Sequence, residues 1–152
     1  MIQRIQSFYL LLVALLMLAM LFVPFADFNN ETASYIFKAK GVYTPSDPPT
    51  LVYAAWSLFA LLILTVILPV ITIFKYKKRI LQMRLCLLNG ILIVAFYGVF
   101  FIYWWLLSRD LSVETTFKAT LAMPAVALIL DYMAARCILQ DELLVRSESR
   151  IR

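Results

Sequence analysis

Four long apolar runs, separated by short polar segments, constrain the fold of this chain more than any other feature. They cover residues 8–26, 51–74, 85–107 and about 121–139. Because a helix rises about 1.5 Å per residue, each run is long enough to cross a hydrocarbon core of roughly 30 Å. The chain is 64% apolar and 15% charged, whereas soluble domains are roughly 45–50% apolar and about 25% charged. The sequence therefore predicts a single membrane domain over residues 1–152 with four transmembrane helices.

The first apolar run also fits a second interpretation. A single basic residue, Arg4, precedes it, as in a secretory signal peptide. However, the run is longer than the usual apolar core of a signal peptide, and no small-x-small cleavage site follows it. We therefore interpret it as a first transmembrane helix, with Pro24 near its outer end.

The segment 75–84, between the second and third runs, carries five of the fourteen basic residues. Together with Arg4 and the region from Arg136 onward, it brings ten of these fourteen residues to one side of the predicted helices. Cytoplasmic loops of membrane proteins are enriched in Lys and Arg, so this side is predicted to be cytoplasmic, with both termini. The aromatic run 103–105 fits a belt at the opposite boundary.

The first outer segment and the C-terminal region have recognisable patterns. Residues 32–43 mix β-branched and aromatic residues around Lys40 and Gly41, which predicts a small β hairpin, with a ligand-binding loop as the alternative. Residues 30–32 match a glycosylation motif, which is relevant only in a eukaryotic secretory pathway. We expect the tail 140–152 to continue the fourth helix. The predicted fold class is an all-α membrane protein, an antiparallel four-helix transmembrane bundle with a small β hairpin in the first outer loop.

Asp131 is an ionisable residue inside a predicted span, where a charge costs about 2.5–3.5 kcal/mol and usually faces the protein interior. In the third run, Asn89 and Tyr97 fall on one stripe at helical spacing, so either side chain could hydrogen-bond to Asp131. Arg84 could reach it from the membrane boundary. Three interpretations remain open: a structural polar clasp between the third and fourth helices, a proton- or cation-coupling site, and contact with a partner subunit.

Several classes of chemistry are excluded or disfavoured by composition. The chain has no histidine, which excludes His-dependent catalytic triads and His-ligated metal centres, and its three glycines form no phosphate-binding loop. We expect a non-enzymatic protein without a cofactor. The basic residues flank apolar runs, which favours lipid over nucleic acid as a partner. Cys86 and Cys137 fall near the predicted cytoplasmic side, where thiols stay reduced.

The basic cytoplasmic side is the predicted contact surface for another membrane protein, a second copy of the chain, or anionic lipid headgroups. The residues that we expect to form it are Arg4, Lys75, Lys77, Lys78, Arg79, Arg136, Arg146, Arg150 and Arg152.

Four segments carry a resemblance to a known family: 1–7, 81–89, 123–132 and 141–147. They resemble small four-span inner-membrane proteins of Gram-negative bacteria, a family classified as a domain of unknown function. The resemblance covers the whole chain and implies a bacterial cytoplasmic membrane. It brings no activity, cofactor or catalytic residue. The family pattern has an amide at the position of Asp131, which implies that the negative charge there is dispensable.

The expected function is that of an accessory or scaffold subunit of a larger membrane complex. The alternative is a small ion-coupled transporter centred on Asp131, which would need more than one polar group along a path. Replacing Asp131 by Asn should separate the two, because an amide keeps hydrogen bonds but cannot carry a proton through the site.

Overall fold

The computed structural model describes residues 2–29, 34–76, 78–111 and 114–149. The predicted contact residues Lys77, Arg150 and Arg152 lie outside these ranges, as do the side chains of Arg4 and Arg146. The glycosylation motif at residues 30–32 also lies outside them.

The described residues form four α-helices. These are α1 (Ile2–Met20), α2 (Trp56–Phe74), α3 (Arg79–Leu111) and α4 (Met123–Ser149), the last preceded by a 3-10 turn at Ala119–Ala122. Each helix packs against the next one in the chain, and α4 packs against α1. We call this arrangement the helical layer.

Three helical segments within the described ranges are long and apolar enough to cross a bilayer: Trp56–Phe74, Arg79–Asp110 and Ala119–Val145. A shorter apolar segment, Ile5–Met20, lies in α1. These lengths and compositions are those of a membrane protein.

The helix boundaries differ from the predicted runs. Helix α1 ends at Met20, and Ala26, the last residue of the first run, begins a strand. The start of the second run, Leu51–Ala54, is also a strand, so α2 begins only at Trp56. Helix α3 extends beyond its apolar run at both ends, and α4 continues past residue 139 to Ser149.

The predicted fold class is wrong, since the described strands form a five-stranded antiparallel sheet where a small hairpin was expected. The strands are β1 (Ala26–Asn29), β2 (Ser34–Lys38), β3 (Gly41–Tyr43), β4 (Leu51–Ala54) and β5 (Glu114–Phe117). Their order in the sheet is β4-β3-β2-β1-β5. Strand β5 comes from the connection between α3 and α4, so both outer connections share one sheet. Local sequence patterns do not report such a long-range pairing.

Gly41 allows the tight turn between β2 and β3. Its φ of 150° lies in a region that side chains rarely adopt, and a Cβ atom there would overlap the backbone carbonyl of Tyr53 in β4. Glycine is therefore required where these strands approach each other.

A cluster of phenylalanine rings joins the sheet to the helical layer. Phe25 and the sheet residues Phe28 and Phe37 are fully buried, as are Phe96 and Phe100 of α3. The ring of Phe25 meets those of Phe37, Phe96 and Phe100 at centroid distances of 5.9, 5.8 and 6.1 Å. We call this end of the molecule the sheet end. The opposite end, with the α2–α3 turn and the C-terminal part of α4, is the basic end.

Candidate functional site

Asp131 lies at the floor of a groove between α3 and α4. Its side chain is only 3% exposed, and the groove has a volume of about 340 Å³. Residues from both helices line it: Cys86, Leu87, Gly90, Ile91, Val94, Leu128, Asp131, Tyr132 and Ala135. Leu87, Ile91 and Val94 on its rim are more than half exposed, so the groove opens on the side of the molecule where lipid would lie.

Small residues create this opening. At Gly90 a Cβ atom would stand 3.5 Å from Asp131 Oδ2 and 3.5 Å from a methyl carbon of Leu128. The absence of a side chain at Gly90 thus leaves space in the groove next to the Asp131 carboxyl group. Ala135 is similarly small on the side of α4, and residues of this size allow helices in a membrane to approach closely.

The polar atoms at the floor lack hydrogen-bond partners within the described part of the chain. These atoms are Asp131 Oδ1 and both amide atoms of Asn89, although the Asn89 side chain lies beside the Asp131 carboxyl group. The structure therefore brings together the two central residues of the predicted polar clasp. It gives them no hydrogen bond of good geometry.

The structure places the other two predicted site residues elsewhere. The Tyr97 hydroxyl donates a hydrogen bond of 2.7 Å to the carbonyl oxygen of Leu121, at the start of the fourth helical segment. Arg84 is exposed and lines a pocket at the basic end together with Glu142. Neither residue is a partner of Asp131, because helix packing directs them to opposite ends of the molecule.

A second group of buried polar residues, nearer the basic end, was not part of the predicted site. Gln6 of α1 and Gln82 of α3 are each 5% exposed, and Thr72 of α2 is 1% exposed. Gln82 Nε2 donates to the carbonyl oxygen of Thr72 at 2.9 Å, whereas Gln6 Nε2 has no partner among the described residues. Gln82 stands four residues before Cys86 on the stripe that contains Asn89, so helical spacing was the signal that could have found it.

Between Asp131 and the sheet, the interior of the molecule is apolar. Ile93, Phe96 and Phe100 of α3 and Ala127 of α4 are fully buried there. They join the phenylalanine cluster below the sheet. Buried polar side chains therefore extend from Asp131 only towards the basic end in the part of the chain that is described.

At the basic end, α3 and α4 are joined by an ion pair. Arg79 Nη2 lies 3.5 Å from Asp141 Oδ2, and Arg79 Nη1 donates to the Asp141 carbonyl oxygen at 3.1 Å. A pocket of about 640 Å³ lies beside this pair. We call its lining the basic platform, which consists of Lys78, Arg79, Ile80, Leu81, Arg84, Glu142 and Val145.

The other predicted contact residues at this end differ in their exposure to solvent. Lys75, Lys78 and Arg136 are exposed. Arg79 is partly buried by its pairing with Asp141.

The model of a family described as a domain of unknown function, DUF4293, matches residues 2–151. The chain belongs to this family. The predicted resemblance to a family of unknown function is thereby confirmed. None of the curated proteins matches the chain.

Two surfaces of this DUF4293 chain could bind another molecule. Its α3–α4 groove presents an acceptor oxygen in apolar surroundings, and its basic platform presents cations next to apolar side chains. The described residues contain no group of three or more His, Cys, Asp or Glu side chains that could hold a metal ion.

Proposed function

We propose that the protein is a non-enzymatic accessory subunit of a membrane complex in the bacterial inner membrane. All four helices would cross the bilayer, with the basic end and both termini in the cytoplasm. The excess of Lys and Arg at the basic end supports this orientation. The family resemblance supports the bacterial location.

The observation that carries this proposal is an exposed apolar surface next to charged residues on α4. Asp141 pairs with Arg79, the first residue of α3, so residues 142–149 extend about 12 Å beyond that point at 1.5 Å per residue. In this extension Leu143, Leu144 and Val145 are 57%, 54% and 45% exposed. If the Arg79–Asp141 pair marks the membrane boundary, as this proposal requires, these side chains lie outside the hydrocarbon core, where contiguous apolar surface is typical of a protein interaction site.

The basic platform selects the kind of partner. Ile80 and Leu81 of α3 are 46% and 37% exposed, and with Val145 they offer apolar contact area. Lys78 and Arg84 are exposed beside them. The matching partner is an amphipathic cytoplasmic helix with one apolar face and acidic residues along its edge. It would belong to the membrane protein that this subunit accompanies.

Photocrosslinking in native membranes tests this contact. A crosslinking amino acid at Val145 should give one discrete protein adduct, and the crosslinked peptide of the partner should combine acidic and apolar residues. Reversing Lys78 and Arg84 to Glu should lower the adduct yield about fivefold, as expected for two exposed ion pairs.

The matched control reverses Lys38 and Lys40 to Glu at the sheet end, which should leave the yield unchanged. Adducts with lipid alone would contradict the proposal. So would a protein adduct whose yield is insensitive to the charges at Lys78 and Arg84.

The alternative proposal is an ion-coupled transporter centred on Asp131. The unpaired Asp131 oxygen favours it, but Ile93, Phe96 and Phe100 fill the interior between this oxygen and the sheet. Transport requires polar groups on both sides of the site. Replacing Asp131 by Asn should abolish proton-coupled flux in a transporter, whereas an accessory subunit should still form the Val145 adduct.

A further inference from the structure

Two polar groups lie side by side at the α3–α4 groove. One is the Asp131 carboxyl group, which lines the groove with its Oδ2 beside Gly90. The other is the hydroxyl of Tyr132, whose side chain lines the groove, is 63% exposed, and finds no hydrogen-bond partner among the described residues. Asp131 is ten residues, or about 15 Å, from Asp141, which places both groups near the middle of a bilayer. An unpaired polar group at that depth costs several kcal/mol.

The two groups are not hydrogen-bonded within one copy of the chain. Consecutive residues on a helix point about 100° apart. The Asp131 side chain is therefore buried against α3, while that of Tyr132 projects from the rim towards lipid. Among the described residues the Tyr132 hydroxyl has no acceptor, whereas the Asp131 carboxyl group, beside Asn89, lines the groove and can accept a further hydrogen bond.

A second copy of the chain offers this acceptor at the same depth. In a two-fold dimer with its axis along the membrane normal, equivalent residues of the two copies lie at the same depth. The same surface of each copy forms the interface, so each copy both donates and accepts the same hydrogen bond. Asp131 and Tyr132 differ in depth by only about 1.5 Å, so donor and acceptor face each other at one level. We propose that two copies pair through their α3–α4 grooves, and that Tyr132 of each copy enters the groove of the other and donates to its Asp131 carboxyl group.

The shape and chemistry of the groove fit this occupant. Gly90 leaves the space above Asp131 open, and the exposed apolar side chains of Leu87 and Ile91 on the rim would surround the hydrogen bonds. The exposed side chains of α1 and α2 near this depth are apolar within the described ranges. In α1 they are Phe8, Leu11 and Leu15, and in α2 they are Leu64, Ile67 and Val70.

The test is dimerisation of the full chain in liposomes, measured by energy transfer between labelled copies over a range of protein-to-lipid ratios. The wild type should form a dimer. Tyr132→Phe removes one hydroxyl and leaves the ring, so it should weaken dimerisation about tenfold through the loss of two symmetric hydrogen bonds. Asp131→Asn keeps an acceptor oxygen and should remain within about threefold of the wild type, whereas Asp131→Leu should behave like Tyr132→Phe.

The groove itself is tested with a pair of glycine variants. Gly90→Leu fills the space above Asp131 and should abolish the dimer. Gly98→Leu is the matched control on the same helix, because nothing lies within 4 Å of a Cβ atom there, and it should dimerise like the wild type. Tyr53→Phe, which removes an exposed hydroxyl at the sheet end, should also have no effect.

Three results would overturn the proposal: a monomeric wild type at every ratio, a dimer insensitive to both Tyr132→Phe and Gly90→Leu, or a dimer lost with Asp131→Asn but kept with Tyr132→Phe. Should Gly90→Leu fail to fold, Tyr132→Phe still decides the matter, because it adds no volume. The dimer uses a different surface from the basic platform. Its failure would therefore leave the crosslinking expectation at Val145 intact.

Discussion

At the scale of single residues, Phe100 shows how the sheet is held on the helical layer. Its ring meets Phe37 of β2 at 5.5 Å and Phe25 at 6.1 Å, and it also meets Phe96, one turn earlier on α3. Aromatic pairs of this kind add about 0.5–1.5 kcal/mol to the effect of burial. Residues distant in sequence thus share one packed cluster.

Replacing Phe100 by Ala should lower the free energy of unfolding by about 3–5 kcal/mol, because a fully buried ring leaves a cavity between sheet and helices. Reversible unfolding in mixed micelles measures this loss. The neighbouring Phe101 is 48% exposed, and Phe101→Ala should cost less than half as much. Equal losses at the two positions would contradict a cluster centred on Phe100.

The residues of the groove were only partly predictable. Asp131 and Asn89 could be paired from helical spacing, because both helices are long and each places a stripe on one face. The hydrogen-bond partner of the Tyr97 hydroxyl could not be assigned in the same way, since the acceptor is the Leu121 carbonyl oxygen, which lies where the chain turns into α4. That turn follows directly after β5 in the chain.

At the scale of elements, the ion pair between Arg79 and Asp141 fixes α4 to the start of α3. The two side chains are 25% and 16% exposed, and a second hydrogen bond joins Arg79 to the Asp141 backbone. Partial burial and two contacts make this pair more effective than an ordinary surface ion pair.

Asp141→Asn should therefore increase hydrogen exchange in the segment 142–149 several-fold, which corresponds to about 1 kcal/mol of lost local stability. Amide exchange followed by mass spectrometry measures it peptide by peptide. Asp110→Asn, an exposed acidic residue near the end of α3 at the sheet end, serves as the control and should leave that segment unchanged. An unaltered rate in Asp141→Asn would show that the ion pair does not hold the extension.

Strands were harder to predict than helices for a physical reason. Leu51–Ala54 continues without a break into the apolar residues of α2, so composition alone does not separate strand from helix there. Glu114–Phe117 is short and becomes a strand only through its pairing with β1, more than eighty residues earlier in the chain. The hairpin at Gly41 was predictable because its turn signal is local.

At the scale of the whole molecule, the two ends have different character. The sheet covers one end and is held there by buried rings. The other end carries the basic platform and the exposed apolar residues of α4. A bilayer between the two ends would leave the α3–α4 groove facing lipid, which is the arrangement that both proposals require.

Cysteine labelling of intact bacterial cells tests this arrangement most directly. With Cys86 and Cys137 replaced by Ala, a single cysteine is introduced either at Ser46 in the loop of the sheet or at Lys75 in the α2–α3 turn, both exposed. A membrane-impermeant maleimide, given access to the periplasm, should label Ser46→Cys in intact cells and Lys75→Cys only after lysis. Labelling of Lys75→Cys in intact cells, or of both positions alike, would contradict a bundle that crosses the bilayer with its basic end in the cytoplasm.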